Sequence, residues 1–127
     1  MLLAVALPIS AVLLACDLSI WGPDDSCRAG EVNLSVDFGP PMKFRWGGDC
    51  RIVELQVFAT AAPGLHWSIQ KPSGLKPPAT FGVLPDGATG MESPVPLVSG
   101  EEYVVYLLGN GEGETQVVAA TTSFVAP

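Results

Sequence analysis

The chemistry of this chain can reside in few places: three cysteines, one histidine and two short acidic groups. Cys16, Cys27 and Cys50 are an odd number, so in an oxidising compartment one thiol stays outside any intramolecular disulfide. A two-cysteine metal site is the rival use of Cys27 and Cys50, but no histidine or third thiol lies near them in sequence. A Ser-His-Asp arrangement would need His66, which has Ser68 beside it and no acid nearby in sequence. Asp24-Asp25 and the run Asn110-Gly111-Glu112-Gly113-Glu114 offer oxygens to calcium, yet neither has the full ligand spacing of a calcium loop. The plain alternative for both is solvated acids in turns. There is no nucleophile elbow, no phosphate-binding glycine loop and no histidine pair at ligand spacing. The sequence therefore predicts no catalytic residue, no metal and no cofactor.

The apolar run from Leu2 to Leu14 carries no charge. As a helix it would be about 20 Å long, whereas crossing a bilayer core takes roughly 20 residues. It is too short for a stable span and suits the apolar region of a signal peptide. The run ends in Leu13-Leu14-Ala15-Cys16, which resembles the lipobox of bacterial lipoproteins: Leu three residues before the cysteine, a small residue just before it. The resemblance implies cleavage after residue 15 and acylation of Cys16. Two or three chains, at about 0.8 kcal/mol per buried methylene, make a lasting anchor where one is marginal. Asp17 resembles the signal that in some bacteria retains a lipoprotein in the inner membrane. The alternatives are an ordinary cleaved signal, or an apolar N-terminal strand with Cys16 incidental.

With Cys16 lipidated, Cys27 and Cys50 are left to pair. Val32, Leu34, Val36 and Phe38 alternate with Glu31, Asn33, Ser35 and Asp37, the period of a strand. Gly39-Pro40-Pro41 breaks it, and Met42, Phe44 and Trp46 then alternate with Lys43 and Arg45. A hairpin pivoting on residue 40 sets residue 30 opposite Cys50, so both thiols fall at its open end. Closing a loop of about 24 residues contributes on the order of 3 kcal/mol.

Residues 16–30, with Gly22, Pro23, Asp24, Asp25 and Gly30, read as the lipidated cysteine and a tether, in which Trp21 suits a lipid interface. Residues 31–127 read as one domain. Val53, Leu55 and Val57 form a further strand, and Leu65, Trp67 and Ile69 another, which directs His66 away from the core. Residues 71–80 hold three prolines and suit an edge or an extended connection. A short piece at 81–84 precedes the turn Pro85-Asp86-Gly87. Tyr103 to Leu108 is apolar on both faces, as a central strand is, and 115–124 makes the last strand or two. About seven strands with turns every 8 to 12 residues predict a single antiparallel β-sandwich.

The stretch from Leu97 through Gly100 to Tyr103 resembles the tyrosine corner of fibronectin type III domains, with Ser99 and Glu101 where that family favours Pro and Thr. The resemblance spans roughly residues 31–126. It implies that the Tyr103 phenol bonds a backbone carbonyl upstream, and that Trp46 on the second strand is the core tryptophan. A generic immunoglobulin-like sandwich is the alternative.

The net charge of −7 is scattered, and six Lys and Arg in all cannot build a phosphate-binding surface, which argues against nucleic acid. The expected function is a membrane-anchored lipoprotein of the cell envelope, facing the periplasm or the exterior. Its partners would be membrane lipid through Cys16 and an envelope protein or glycan. A strand edge or the loops near Pro72–Pro78 are the expected binding elements. The alternative is a small periplasmic hydrolase or metal-dependent enzyme without a recognisable motif.

Overall fold

The computed structural model describes residues 25–61 and 64–127. The expected signal peptide, Cys16, Asp17, Trp21 and Asp24 lie outside the described residues. The strands are β1 (Asn33–Asp37), β2 (Lys43–Gly47), β3 (Ile52–Ala59), β4 (Leu65–Gln70), β5 (Ala79–Thr80), β6 (Thr89–Gly90), β7 (Glu102–Asn110) and β8 (Gln116–Val125). A single 3-10 turn, Glu112–Glu114, joins the last two. All neighbours pair antiparallel, in a three-stranded sheet ordered β1-β2-β5 and a five-stranded sheet ordered β6-β4-β3-β7-β8. The fold is an all-β sandwich. Among the described residues, no helix is long and apolar enough to cross a membrane.

The first hairpin has the expected register, with Asn33 opposite Gly47 and Val36 opposite Phe44. Its turn requires glycine at position 39. There φ is 61°, and a Cβ would run into the backbone of Pro41.

Alternation then builds the core. Phe44 from the three-stranded sheet stacks on Trp67 at a centroid distance of 6.2 Å and meets Phe124 at 6.2 Å. Tyr103 in turn stacks on Phe124 at 5.6 Å. Leu55, Val57, Ile69, Val105 and Leu107 fill the inner face of the five-stranded sheet around them, all fully buried. Each such side chain contributes on the order of 1.5–3 kcal/mol by leaving water.

The structure departs from strict alternation at three register shifts, the first between Ile52 and Glu54 where β3 meets β7, so that Ile52 is buried in place of Val53. Val57 pairs with Trp67 but Phe58 pairs with Leu65, which leaves His66 as an extra residue in β4. Leu65 is consequently 39% exposed, and the His66 ring packs edge-on against the inward-facing Tyr103 at 5.1 Å. The histidine is thus turned toward the core region, contrary to its position in the alternating pattern. In β8 a register shift leaves Ala119 unpaired, so Ala119 and Ala120 are both buried in succession.

Two boundaries also move. The short piece expected at 81–84 is a turn, closed by the Val83 N–H donating to Thr80 O at 3.0 Å, and the strand is Ala79–Thr80. Pro77 and Pro78 on one side and Gly82 on the other leave room for only two paired residues. At the other end, residues 25–30 pack into the domain, although the turn-rich sequence there suggested a tether. Cys27 N–H donates to Asn110 O at 2.8 Å, Gly30 N–H to Val118 O at 3.1 Å and Val32 N–H to Ala119 O at 3.0 Å, laying the segment along β8.

Candidate functional site

Cys27 and Cys50 are joined by a disulfide whose Cα atoms lie 5.0 Å apart. The bond ties the incoming chain to the loop before β3, and Arg51 N–H donates to Asp25 O beside it at 2.9 Å. The Arg51 and Asp25 side chains form an ion pair, each about half exposed. In water-facing surroundings such a pair contributes little. Two depressions of about 620 and 510 Å3 flank this end, lined by residues that include Arg28, Glu31, Arg51 and Glu112. Among the described residues, no three His, Cys, Asp or Glu side chains are grouped where they could hold a metal ion.

The Leu97–Tyr103 segment forms a corner at the opposite end. Tyr103 is 1% exposed and its hydroxyl accepts the Val98 N–H at 2.8 Å. The expected partner was an upstream carbonyl, so the polarity of the bond is reversed. The reason lies in the turn, where Val98 O is already taken by the Glu101 N–H at 3.1 Å and the Val98 N–H is left to be satisfied. Gly100, with φ of 87°, donates its N–H to Ala126 O at 2.9 Å, and Leu97 packs against the core. Trp46 lies on the inward side opposite Leu34 but is only half-buried, and Trp67 holds the centre instead.

His66 Nδ1 lies 3.3 Å from Val95 O. A carbonyl can only accept, so Nδ1 is the donor in this contact. The ring is committed to Val95 and Tyr103. The Pro72–Pro78 loop is likewise tied down, with Lys71 N–H donating to Val53 O and Leu75 N–H to Ile52 O at 2.7 Å.

No protein-family model, curated protein or solved structure matches this chain.

The outer face of the five-stranded sheet carries the arrangement that the sequence did not single out. Along β3, Glu54, Gln56 and Phe58 alternate with the core residues Leu55 and Val57 and so point outward. The Glu54 carboxylate accepts from the side-chain amides of Gln56 at 2.8 Å, Gln70 at 3.2 Å and Gln116 at 3.3 Å. Two residues along, Gln56 stands opposite Tyr106, and Phe58 stands opposite Val104. The Phe58 and Tyr106 rings meet edge to face at 6.0 Å. A depression of about 400 Å3 opens over Phe58, Ala59, Thr60, Val104 and Tyr106, and a second of about 210 Å3 lies beside Glu54, Gln70 and Gln116. The period-two pattern over Glu54–Phe58 was the available signal. Gln70 and Gln116 join it only through strand order.

Proposed function

We propose that the protein is a lipid-anchored lipoprotein of the cell envelope whose fibronectin type III-like sandwich binds a partner and carries out no catalysis. The observation that carries the reading is the Cys27–Cys50 bond so close behind the lipobox cysteine. It suits an oxidising compartment and holds the anchored end of the domain in one place. Residues 17–24 separate Cys16 from the first described residue, so the reach between them is at most about 30 Å. The disulfide end would then face the membrane and the Tyr103 corner would point away from it. Anchoring raises the effective concentration of the domain at a membrane-proximal partner without any new contact. The engagement of His66 with Val95 and Tyr103 favours binding over hydrolysis, and the Leu97-Gly100-Tyr103 corner favours the fibronectin-like reading.

Mass spectrometry of the mature N-terminus, joined to a broad screen of esters, peptides and glycosides on the full chain, tests the proposal. Acylated Cys16 with no turnover is the expected result. Turnover abolished by His66→Ala would overturn the binding reading.

A further inference from the structure

We infer that the outer face of the five-stranded sheet is a binding site for a neutral glycan chain. The inference rests on the extracytoplasmic binding reading above, because that is where such polymers are met.

Charge is the first argument. The strands β3, β4, β7 and β8 contain no Lys or Arg, so the face has no cation for a phosphate or carboxylate ligand. Its acids are Glu54, which accepts three amide hydrogen bonds, and Glu102 at the corner end of β7, whose carboxylate accepts from the Thr60 hydroxyl at 3.2 Å. An anionic ligand is therefore disfavoured, and the glutamine amides call for a ligand that brings hydroxyls or amides.

Side-chain chemistry is the second. Each glutamine spends one N–H on Glu54 and keeps a second N–H and a carbonyl oxygen, which gives fixed donors and acceptors side by side. Held by one carboxylate, these amides have lost rotamer freedom before any ligand arrives, which lowers the cost of binding. Beside them the Phe58–Tyr106 pair offers an apolar aromatic surface above the 400 Å3 depression. A pyranose presents C–H groups on its faces and hydroxyls around its rim. The rings suit the former and the amides the latter. From Glu54 to Phe58 is four residues of strand, about 13 Å, the length of about two to three linked sugars.

Backbone pairing is the third. Strand β3 is bonded to β4 and β7, and β7 to β3 and β8, so the centre of this face has no free main chain for an extended peptide to join. Selection falls to side chains alone.

The test is calorimetric titration of the full chain, purified from membranes in detergent, with cellohexaose, chitohexaose and maltohexaose. At least one should bind with a Kd between about 10 μM and 1 mM. Tyr106→Ala and Gln56→Leu should each weaken that binding by about tenfold or more, whereas Phe38→Ala, just past the end of β1 and away from this face, should leave it unchanged. Tyr106→Phe, which keeps the ring and the packing, should retain most of the affinity and guards against a variant that fails to fold. No binding of any hexasaccharide, or binding that survives Tyr106→Ala, overturns the assignment. If Cys16 is acylated and no hexasaccharide binds, the glycan assignment falls and the anchored binding module stands. If a hexasaccharide binds to a chain whose Cys16 is unmodified, the anchor falls and the glycan site stands.

Discussion

The Tyr103 hydroxyl accepts the backbone N–H of Val98 across five residues, at 2.8 Å, and so closes the corner that leads into β7. The phenol is buried between Phe124 and His66, while Val98 lies at the surface, 57% exposed. Replacing Tyr103 with Phe removes the acceptor and leaves the ring in place. Water can reach part of the freed N–H, so the cost should fall at about 1–2 kcal/mol. Urea titration of the full chain should show this as a lower midpoint at constant slope. An unchanged midpoint would mean that the corner bond adds nothing to stability.

The disulfide predicts two thiols gained on reduction, those of Cys27 and Cys50. Intact mass after alkylation, with and without reductant, reads this directly. Replacing Cys27 and Cys50 together by Ala should lower stability by about 3 kcal/mol, since the bond closes a loop of 23 residues' separation. Free Cys27 and Cys50 in protein taken from the envelope would contradict the bond.

Gly109 in β7 lies against this disulfide. A Cβ built there would overlap Cys27 Sγ and come within 2.9 Å of Arg51 O. Gly109→Ala should therefore cost about 1–3 kcal/mol through overpacking. Gly47 in β2 has nothing within 4 Å of such an atom, so Gly47→Ala should change stability by less than about 0.5 kcal/mol. Thermal melts of the two variants side by side give the comparison, and equal losses would count against the clash.

The anchor predicts a change of compartment. With Cys16→Ser the protein should move from the membrane pellet to the soluble fraction or remain unprocessed. Retention of a processed Cys16→Ser chain in the pellet would show that something other than lipid holds it there.

The sequence alone determined the features that depend on neighbours along the chain. Alternation over Val32–Phe38 and Met42–Trp46 specified two strands, because side chains in an extended backbone must point to opposite sides in turn. Gly39-Pro40-Pro41 could only be a break. Together they set the hairpin register, and with it the closeness of Cys27 to Cys50. Trp67 was legible as core for the same reason. The tertiary structure decided whatever depends on a partner strand. His66 leaves its alternating position because β4 carries one residue more than β3 across from it, a mismatch that neither strand shows by itself. Residues 25–30 join the domain because Asn110 and Val118, far along the chain, offer carbonyls to Cys27 and Gly30. The Tyr103 hydroxyl accepts rather than donates because the following turn already uses Val98 O. Gln116 reaches Glu54 from 62 residues away because β7 lies between β3 and β8 and brings their outer faces level. A period of two states which side of a strand a residue takes; only the order of strands in the sheet states which residues stand beside it.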